Sequence, residues 1–149
     1  MSVTDKSNLV DIVNKQVANW TVLYTKLHNF HWYVKGHHFF VLHEKFEELY
    51  NEAAVHIDEL AERLLAIEGN PVATMKESLE KATIKEAQEE KEADRMVQSI
   101  VDDFTLIIKE LKEGVQIAEK SGDDGTADMF VAISKSLEKH NWMLKAYLG

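Results

Sequence analysis

The sequence predicts an all-α fold, an antiparallel four-helix bundle. Four long stretches place apolar residues at steps of three and four, which is typical of helices that bury one face. Helix-ending residues separate these stretches, at Gly36, at 69–71 and at 121–125. No stretch alternates between apolar and polar residues as a half-buried strand would, so packed helices are the expected architecture.

The first helix is expected over residues 5–34, along an apolar stripe that continues to His31. Gly36 suits the C-terminal cap of this helix. The second helix is expected over residues 39–67, and it ends before the chain's only proline. Its apolar stripe consists of Leu42, Phe46, Leu49, Ala53, Ile57, Leu60, Leu64 and Ile67.

Residues 68–83 are expected to form a long crossover between the second and third helices. Within it, the spacing of Thr74 and Glu77 is that of a capping box, which predicts a short helix. The same spacing of Thr83 and Glu86 predicts that the third helix begins there. The acidic residues that follow would then form its solvated first turns.

The third and fourth helices complete the predicted bundle. The apolar stripe of the third helix includes Phe104 and Leu111 and ends near Ala118. Asp124 or Thr126 is expected to cap the fourth helix, since both side chains suit that position. The apolar positions of this helix include Phe130, Ile133, Leu137, Leu144 and Tyr147.

Length and composition indicate a soluble protein of ordinary kind. The chain of 149 residues has the length of one domain, and residues 1–149 are expected to form a single one. The formal charge of −9 gives no general attraction for nucleic acid. The absence of cysteine excludes disulfides and thiolate metal sites. Because no secretion signal or membrane-spanning run is visible, a cytoplasmic location without a membrane partner is expected.

Imidazole and carboxylate side chains are concentrated in residues 31–62. His31 ends the first apolar stripe, and a second face of the predicted second helix carries His43, Glu47 and Asp58. Glu62 follows Asp58 by one turn. Such side chains are the ligands that divalent first-row metals such as iron accept, so this region is a candidate metal site.

One straight helix cannot bring His43 and Asp58 to the same ion. At about 1.5 Å per residue they are separated by roughly 22 Å, whereas a metal–ligand bond is about 2 Å long. A second copy of the chain, packed antiparallel about a two-fold axis near Tyr50 and Asn51, would place each His43 beside the Asp58 of the other copy. This predicts two equivalent metal sites per dimer, each shared between subunits.

Other chemistries find less support in the sequence. It has no glycine-rich phosphate loop, no Gly-x-Ser-x-Gly elbow and no cysteine nucleophile. It has no Glu-x-x-His motif, so the usual di-iron centre inside one bundle is not expected. Zinc stays open, because two histidines and two carboxylates also suit that ion. A purely structural bundle whose histidines fill the core is the remaining alternative.

Several of these residues together resemble the signature of the Dps proteins, the miniferritins of bacteria. They are the run 28–32 (His-Asn-Phe-His-Trp), His43 with Glu47, and the run 58–63. The likeness extends over nearly the whole chain, including 122–124 and 140–143. It implies a ferritin-like fold and a homo-oligomeric shell, a dodecamer. It also implies a ferroxidase that oxidises Fe(II), preferably with hydrogen peroxide, and stores Fe(III) mineral inside against oxidative stress.

The resemblance also implies the role of each site residue. His31 and His43 of one subunit, with Asp58 and Glu62 of its two-fold mate, would form a di-iron site. Glu47 would bind the second iron directly or through water, although aspartate is frequent at this position in the family. These five residues would be both the metal ligands and the catalytic residues of the site.

Three further implications concern the surroundings of the site. Trp32 would line it, although an ordinary core aromatic is the equally simple interpretation. Asp123, Asp124 and Asp128 would line three-fold pores that admit iron, although carboxylates there also suit a helix N-terminus. Many Dps proteins bind DNA through lysine-rich tails. Because Lys6 is the only lysine before the first apolar stripe, DNA binding is expected to be weak or absent.

Overall fold

The computed structural model describes residues 2–149, and over this range the chain forms five helices. They are α1 (Val3–Tyr33), α2 (Phe39–Ala66), α3 (Met75–Lys81), α4 (Ala93–Lys120) and α5 (Asp124–Leu148). The four long helices form the bundle, and α3 lies in the crossover between α2 and α4. The all-α prediction and the short crossover helix are both confirmed.

The long helices form two antiparallel pairs around one apolar core. Gly69, just after α2, lies against Val10 near the start of α1, so these two helices run in opposite directions. In the second pair, Gly114 of α4 lies directly beneath the ring of Phe130 from α5. The core includes Trp20, Phe30, Phe46, Phe104 and Phe130, all fully buried. Within the described residues 2–149, no helix is both long and apolar enough to cross a membrane.

The local signals placed most helix ends correctly. The bounds of α1 and α2 lie within two residues of the predicted ones. The capping box at Thr74 is formed as predicted, since the Glu77 amide donates to Thr74 Oγ1 over 3.1 Å. The Thr74 hydroxyl in turn donates to the Glu77 carboxylate over 3.1 Å. These contacts start α3 at the residue that follows Thr74.

The predicted start of the third long helix at Thr83 is wrong. The helix begins at Ala93, and the crossover accordingly runs over 67–92. Thr83 does not cap a helix, because its hydroxyl donates to Glu110 over 2.7 Å and its amide donates to Asn19 over 2.7 Å. This buried polar network fixes the chain in a non-helical path.

Neither of the two predicted caps of the last helix is correct. Asp123, rather than Asp124 or Thr126, is the N-cap of α5, and it accepts the Thr126 amide over 3.0 Å. Arg63 of α2 donates to the same Asp123 oxygen over 2.6 Å. Because this ion pair joins α2 to α5, Asp123 is preferred as the cap over its neighbours.

The fold leaves one face of α2 uncovered, and this face positions the candidate site. The apolar stripe of α2 packs into the core, with only Ile57 and Ile67 partly buried. The neighbouring face, one residue's rotation away, remains open. Glu47, Asp58 and Glu62 are exposed there, and Tyr50 is half-buried between them.

Candidate metal centre

His31 and His43 form the centre of the candidate site. His31 lies near the end of α1 and His43 near the start of α2, so the short turn between these helices brings the two rings together. Their imidazoles stack with centroids 3.7 Å apart and planes inclined by 15°. His31 is buried and His43 is half-buried.

The backbone of each histidine fixes the ring of the other. His31 Nδ1 lies 2.7 Å from the His43 carbonyl oxygen, and His43 Nδ1 lies 2.8 Å from that of His31. Because a carbonyl oxygen only accepts, each Nδ1 carries the proton and donates it. In the neutral form of each ring the lone pair then lies on Nε2, which is the tautomer in which metal-binding histidines are held by their surroundings.

Two aromatic rings restrict the histidine pair further. Phe39 stacks on His43 with centroids 4.9 Å apart and planes inclined by 21°. Tyr50 meets His31 edge-on, with centroids 5.3 Å apart at 86°. These contacts and the reciprocal hydrogen bonds hold both imidazoles in one orientation before any ligand arrives.

Glu47 adds a carboxylate to the pair of imidazoles. Its Oε1 lies 3.9 Å from His31 Nε2, and its side chain is 52% exposed. Two ligands of one ion, each about 2.1 Å from it, lie at most about 4.2 Å apart. The separation of these two atoms is therefore compatible with a shared ion.

Asp58 and Glu62 lie near the other end of α2, and both are exposed. The structure thus brings the predicted ligands together in two groups, with His31, His43 and Glu47 in one and Asp58 with Glu62 in the other. Within residues 2–149, no three histidine, aspartate or glutamate side chains are arranged to hold a metal ion. The donor set of a single chain is therefore incomplete at either place.

The comparisons with known proteins show the family of the chain. The ferritin-like domain family matches residues 10–149. General stress protein 20U of Bacillus subtilis is 66% identical over 95% of this chain and 97% of its own length. The crystal structure of Dps from Staphylococcus aureus has 56% sequence identity and a TM-score of 0.94, covering 96% of both chains. The crystal structure of a Dps protein from Bacillus brevis has 54% identity and a TM-score of 0.98 over 100% of both chains.

This chain belongs to the Dps family. Its fold is the ferritin-like fold of the Dps structures. Dps proteins protect against oxidative stress and store iron. The resemblance that the sequence motifs indicated is therefore confirmed for family and fold.

Trp32 is not part of the core of this Dps chain. It is 66% exposed, and its ring lies 5.2 Å from that of His28, which precedes it by one turn of α1. The interpretation of Trp32 as an ordinary core aromatic is therefore wrong. Its exposed ring lies on the helix that also carries His31.

The three aspartates near the start of α5 differ in their surroundings. Asp124 and Asp128 are exposed, whereas Asp123 is half-buried and bound to Arg63 and Thr126. Burial alone would raise the pKa of Asp123, but the hydrogen bonds from Thr126 and Arg63 lower it. Asp123 is thus a charged cap whose charge Arg63 balances, and Asp124 and Asp128 present the uncompensated charge.

A second histidine and carboxylate cluster, which sequence reasoning missed, lies inside the bundle between α2 and α5. Glu52 accepts hydrogen bonds from His56 Nε2 over 3.1 Å and from His140 Nε2 over 3.0 Å. Ser136 donates to both Glu52 oxygens, over 3.1 and 3.0 Å. Only the four-residue spacing of Glu52 and His56 is visible in the sequence, because His140 is 88 positions from Glu52.

The histidines of this interior cluster donate from Nε2, whereas His31 and His43 donate from Nδ1. Because Glu52 is an acceptor, His56 and His140 each present Nε2–H to it. Lys45 lies 3.2 Å from His140 Nδ1 and occupies the other nitrogen of that ring. Both nitrogens of His140 are thus engaged, whereas His31 and His43 each keep Nε2 free.

Replacing Glu52 by glutamine should lower stability in a pH-dependent way. Burial alone would raise the pKa of Glu52, but the hydrogen bonds from His140 and His56 override it, and the pKa is lowered well below its usual range. A carboxylate whose folded pKa is lowered stabilises fully above its unfolded pKa, about 4.3, and progressively less as the pH falls towards the folded pKa. Denaturant unfolding should show Glu52→Gln destabilised by about 1–3 kcal/mol at pH 7, with the gap to the parent narrowing below about pH 4.3.

The matched control for this experiment is Glu113→Gln, at an exposed position of α4. It should stay within about 0.5 kcal/mol of the parent at each pH. A Glu52→Gln variant that is as stable as the parent at pH 7 would contradict the role given to the cluster.

Proposed function

We propose that this Dps protein is a ferroxidase and iron-storage protein. It oxidises Fe(II), preferably with hydrogen peroxide, at di-iron sites shared between two subunits. The observation that carries the proposal is the locked pair His31 and His43, with both Nε2 lone pairs free on a face of the chain that lacks its remaining ligands. Asp58 and Glu62 lie on the same face of α2, and a second copy packed across a two-fold axis would supply them.

Each proposed ligand has a distinct role. His31 and His43 supply neutral nitrogen ligands, and Asp58 with Glu62 of the other subunit supply carboxylate oxygens from adjacent turns. Glu62 and Glu47 would also hold the second iron, and the 3.9 Å between Glu47 and His31 supports His31 as a ligand of the same ion. The negative ligands balance the charge that increases when iron passes from the ferrous to the ferric state.

The pairing of two irons accounts for the protective chemistry. Each Fe(II) gives up one electron, and one hydrogen peroxide takes both electrons and two protons to form two molecules of water. Because the O–O bond is broken by two electrons together, no hydroxyl radical is released. The ferric product is stored as mineral in the hollow shell, which connects the activity to iron homeostasis.

The experiment that tests this function is stopped-flow oxidation of anaerobically loaded Fe(II) by hydrogen peroxide. We expect fast oxidation at about two irons per peroxide, as the electron balance above requires, with a soluble ferric product. Behaviour like that of buffer would contradict the ferroxidase assignment and leave only the fold. Zinc has no redox chemistry. Zinc that occupies the same ligands should therefore inhibit the oxidation without replacing it.

Membership of the family supports our proposals for the assembly and the location of the protein. Dps homologues typically form dodecamers, and we propose the same for this chain, with residues 1–149 as one domain of each subunit and a cytoplasmic location. A stable metal-binding monomer in light scattering would contradict the shared site. We also propose that DNA binding is weak or absent, because the charge of −9 per chain is multiplied in a shell. Tight binding in a gel shift at low salt would overturn that proposal.

We propose that the acidic start of α5 admits iron to the shell through three-fold pores, with Asp123, Asp124 and Asp128 around them. The prediction is that Asp124→Asn/Asp128→Asn slows iron uptake several-fold, since a ring of negative charge concentrates cations and raises their rate of association. Asp123 stays unchanged in this variant because it caps α5. Iron uptake by the assembled shell is measured against time at low and high salt.

The effect on uptake should shrink at high salt, where screening weakens the parent's advantage. Light scattering must show the same assembly for parent and variant. Unchanged uptake at low salt would refute the pore role.

A further inference from the structure

Tyr50 occupies the position on α2 between the two groups of proposed ligands. Its ring stacks on His28 of α1, with centroids 3.7 Å apart and planes inclined by 19°. A second tyrosine, Tyr24, meets it edge-on at 6.1 Å. Together with the edge-on contact to His31, these rings fix the Tyr50 side chain on the open face of α2.

The stacking partner of Tyr50 is itself fixed. His28 Nδ1 lies 2.7 Å from the Tyr24 carbonyl oxygen one turn earlier in α1, so this nitrogen donates and the ring cannot turn freely. The stacked contact between His28 and Tyr50 therefore fixes the phenol ring relative to α1. The ring of Tyr50 is held more firmly than an exposed tyrosine would be.

Among the proposed ligands on α2, Glu47 is the one next to Tyr50 on the helix surface. Glu47 precedes Tyr50 by three residues, and residues at this spacing are neighbours on a helix surface. Burial first, and then the negative charge of Glu47, raise the pKa of Tyr50. Because a carboxylate only accepts hydrogen bonds, the Tyr50 hydroxyl is the donor in a contact between these two side chains.

Glu47 needs such a donor because little else fixes it. Its side chain is 52% exposed, and its Oε1 lies 3.9 Å from His31 Nε2, too far for a hydrogen bond. A glutamate has one more rotatable bond than an aspartate, so its carboxylate loses more conformational freedom when it binds an ion. A hydroxyl that holds one oxygen would leave the other directed at the ion beside His31.

We propose that Tyr50 is a positioning residue of the metal centre, whose hydroxyl holds one oxygen of Glu47 so that the other binds an ion together with His31. The proposal rests on the proposed function for the identity of the site. It assigns Tyr50 to the group of residues that orient ligands without touching the metal. Loss of such partners typically costs about 10–100-fold in metal affinity or activity.

The test is Tyr50→Phe in the full-length assembled protein, which removes the hydroxyl and keeps the ring. We expect Co²⁺, used as a spectroscopic probe, to bind about tenfold or more weakly, with a changed visible absorption spectrum. The half-saturating Fe(II) concentration should rise in the peroxide assay. Tyr33→Phe, at an exposed position of α1, removes a hydroxyl outside the site and should behave like the parent.

A double-mutant cycle with Glu47→Ala separates positioning from a general structural effect. If Tyr50 acts through Glu47, adding Tyr50→Phe to Glu47→Ala should weaken Co²⁺ binding little further. Equal Co²⁺ affinity of Tyr50→Phe and the parent, or losses that add fully in the double variant, would overturn the proposal.

The outcomes also separate this proposal from the proposed function. A parent that oxidises iron while Tyr50→Phe matches it in every respect refutes the positioning role alone. If Co²⁺ binding depends on Tyr50 and Glu47 but the parent leaves iron unoxidised, the ferroxidase function is refuted and the positioning role is supported.

Discussion

Replacing Asp58 and Glu62 together by alanine is expected to reduce peroxide-driven iron oxidation by more than about 100-fold. Loss of an outer-shell partner alone typically costs about 10–100-fold, and this change removes two proposed ligands from every site. The two imidazoles would remain in place, since each is locked by the backbone carbonyl of the other, away from Asp58 and Glu62. Stopped-flow absorbance of the ferric product measures the effect directly.

The matched control removes two exposed carboxylates outside the proposed site, as Glu59→Ala/Glu113→Ala. This variant has the same net charge as Asp58→Ala/Glu62→Ala, so a general electrostatic effect on iron binding would appear in both. The control should oxidise iron at the parental rate, and both variants should show the parental size in light scattering. Fast oxidation by the Asp58→Ala/Glu62→Ala variant would show that these carboxylates are not ligands.

The fold was predictable where neighbouring residues decide the structure, and it was not where distant ones do. Thr74 and Thr83 begin the same four-residue pattern, yet only Thr74 caps a helix. Thr83 is held instead by Asn19, 64 positions earlier, and by Glu110, 27 positions later. The four-residue pattern at Thr83 does not indicate those partners. The third long helix was therefore predicted to begin ten residues too early.

In the candidate site, too, residue spacing was enough for features of one helix but not for contacts between helices. The spacing of His43, Glu47, Asp58 and Glu62 predicted that they share one helix face, and the helical rise predicted that His43 and Asp58 of one chain lie too far apart for one ion. The reciprocal hydrogen bonds of His31 and His43 depend on the geometry of the turn between two helices, which residue spacing does not describe. The contact between Glu52 and His140 joins helices that are far apart in the sequence. These features required the structure.

The proposed sharing of the site between subunits predicts that two inactive variants restore activity when they assemble together. One variant, His31→Gln/His43→Gln, lacks the histidine half, and the other, Asp58→Ala/Glu62→Ala, lacks the carboxylate half. A mixed dimer contains one site with both halves intact and one with neither, because a two-fold contact is reciprocal. Random pairing in equal amounts makes about half of the dimers mixed, so about one quarter of the parental sites should be functional.

The measurement is the stopped-flow rate of the co-assembled protein compared with each variant alone and with a mixture of separately assembled shells. Co-assembly should recover about one quarter of the parental amplitude, while the mixture of separate shells should recover none, since intact sites form only across a mixed two-fold contact. If His31→Gln/His43→Gln does not fold, His43→Gln alone provides the histidine-deficient partner and preserves the buried His31. Absence of recovery in co-assembled shells of correct size would mean that the histidines and carboxylates do not meet across the two-fold axis, and it would overturn the shared di-iron site.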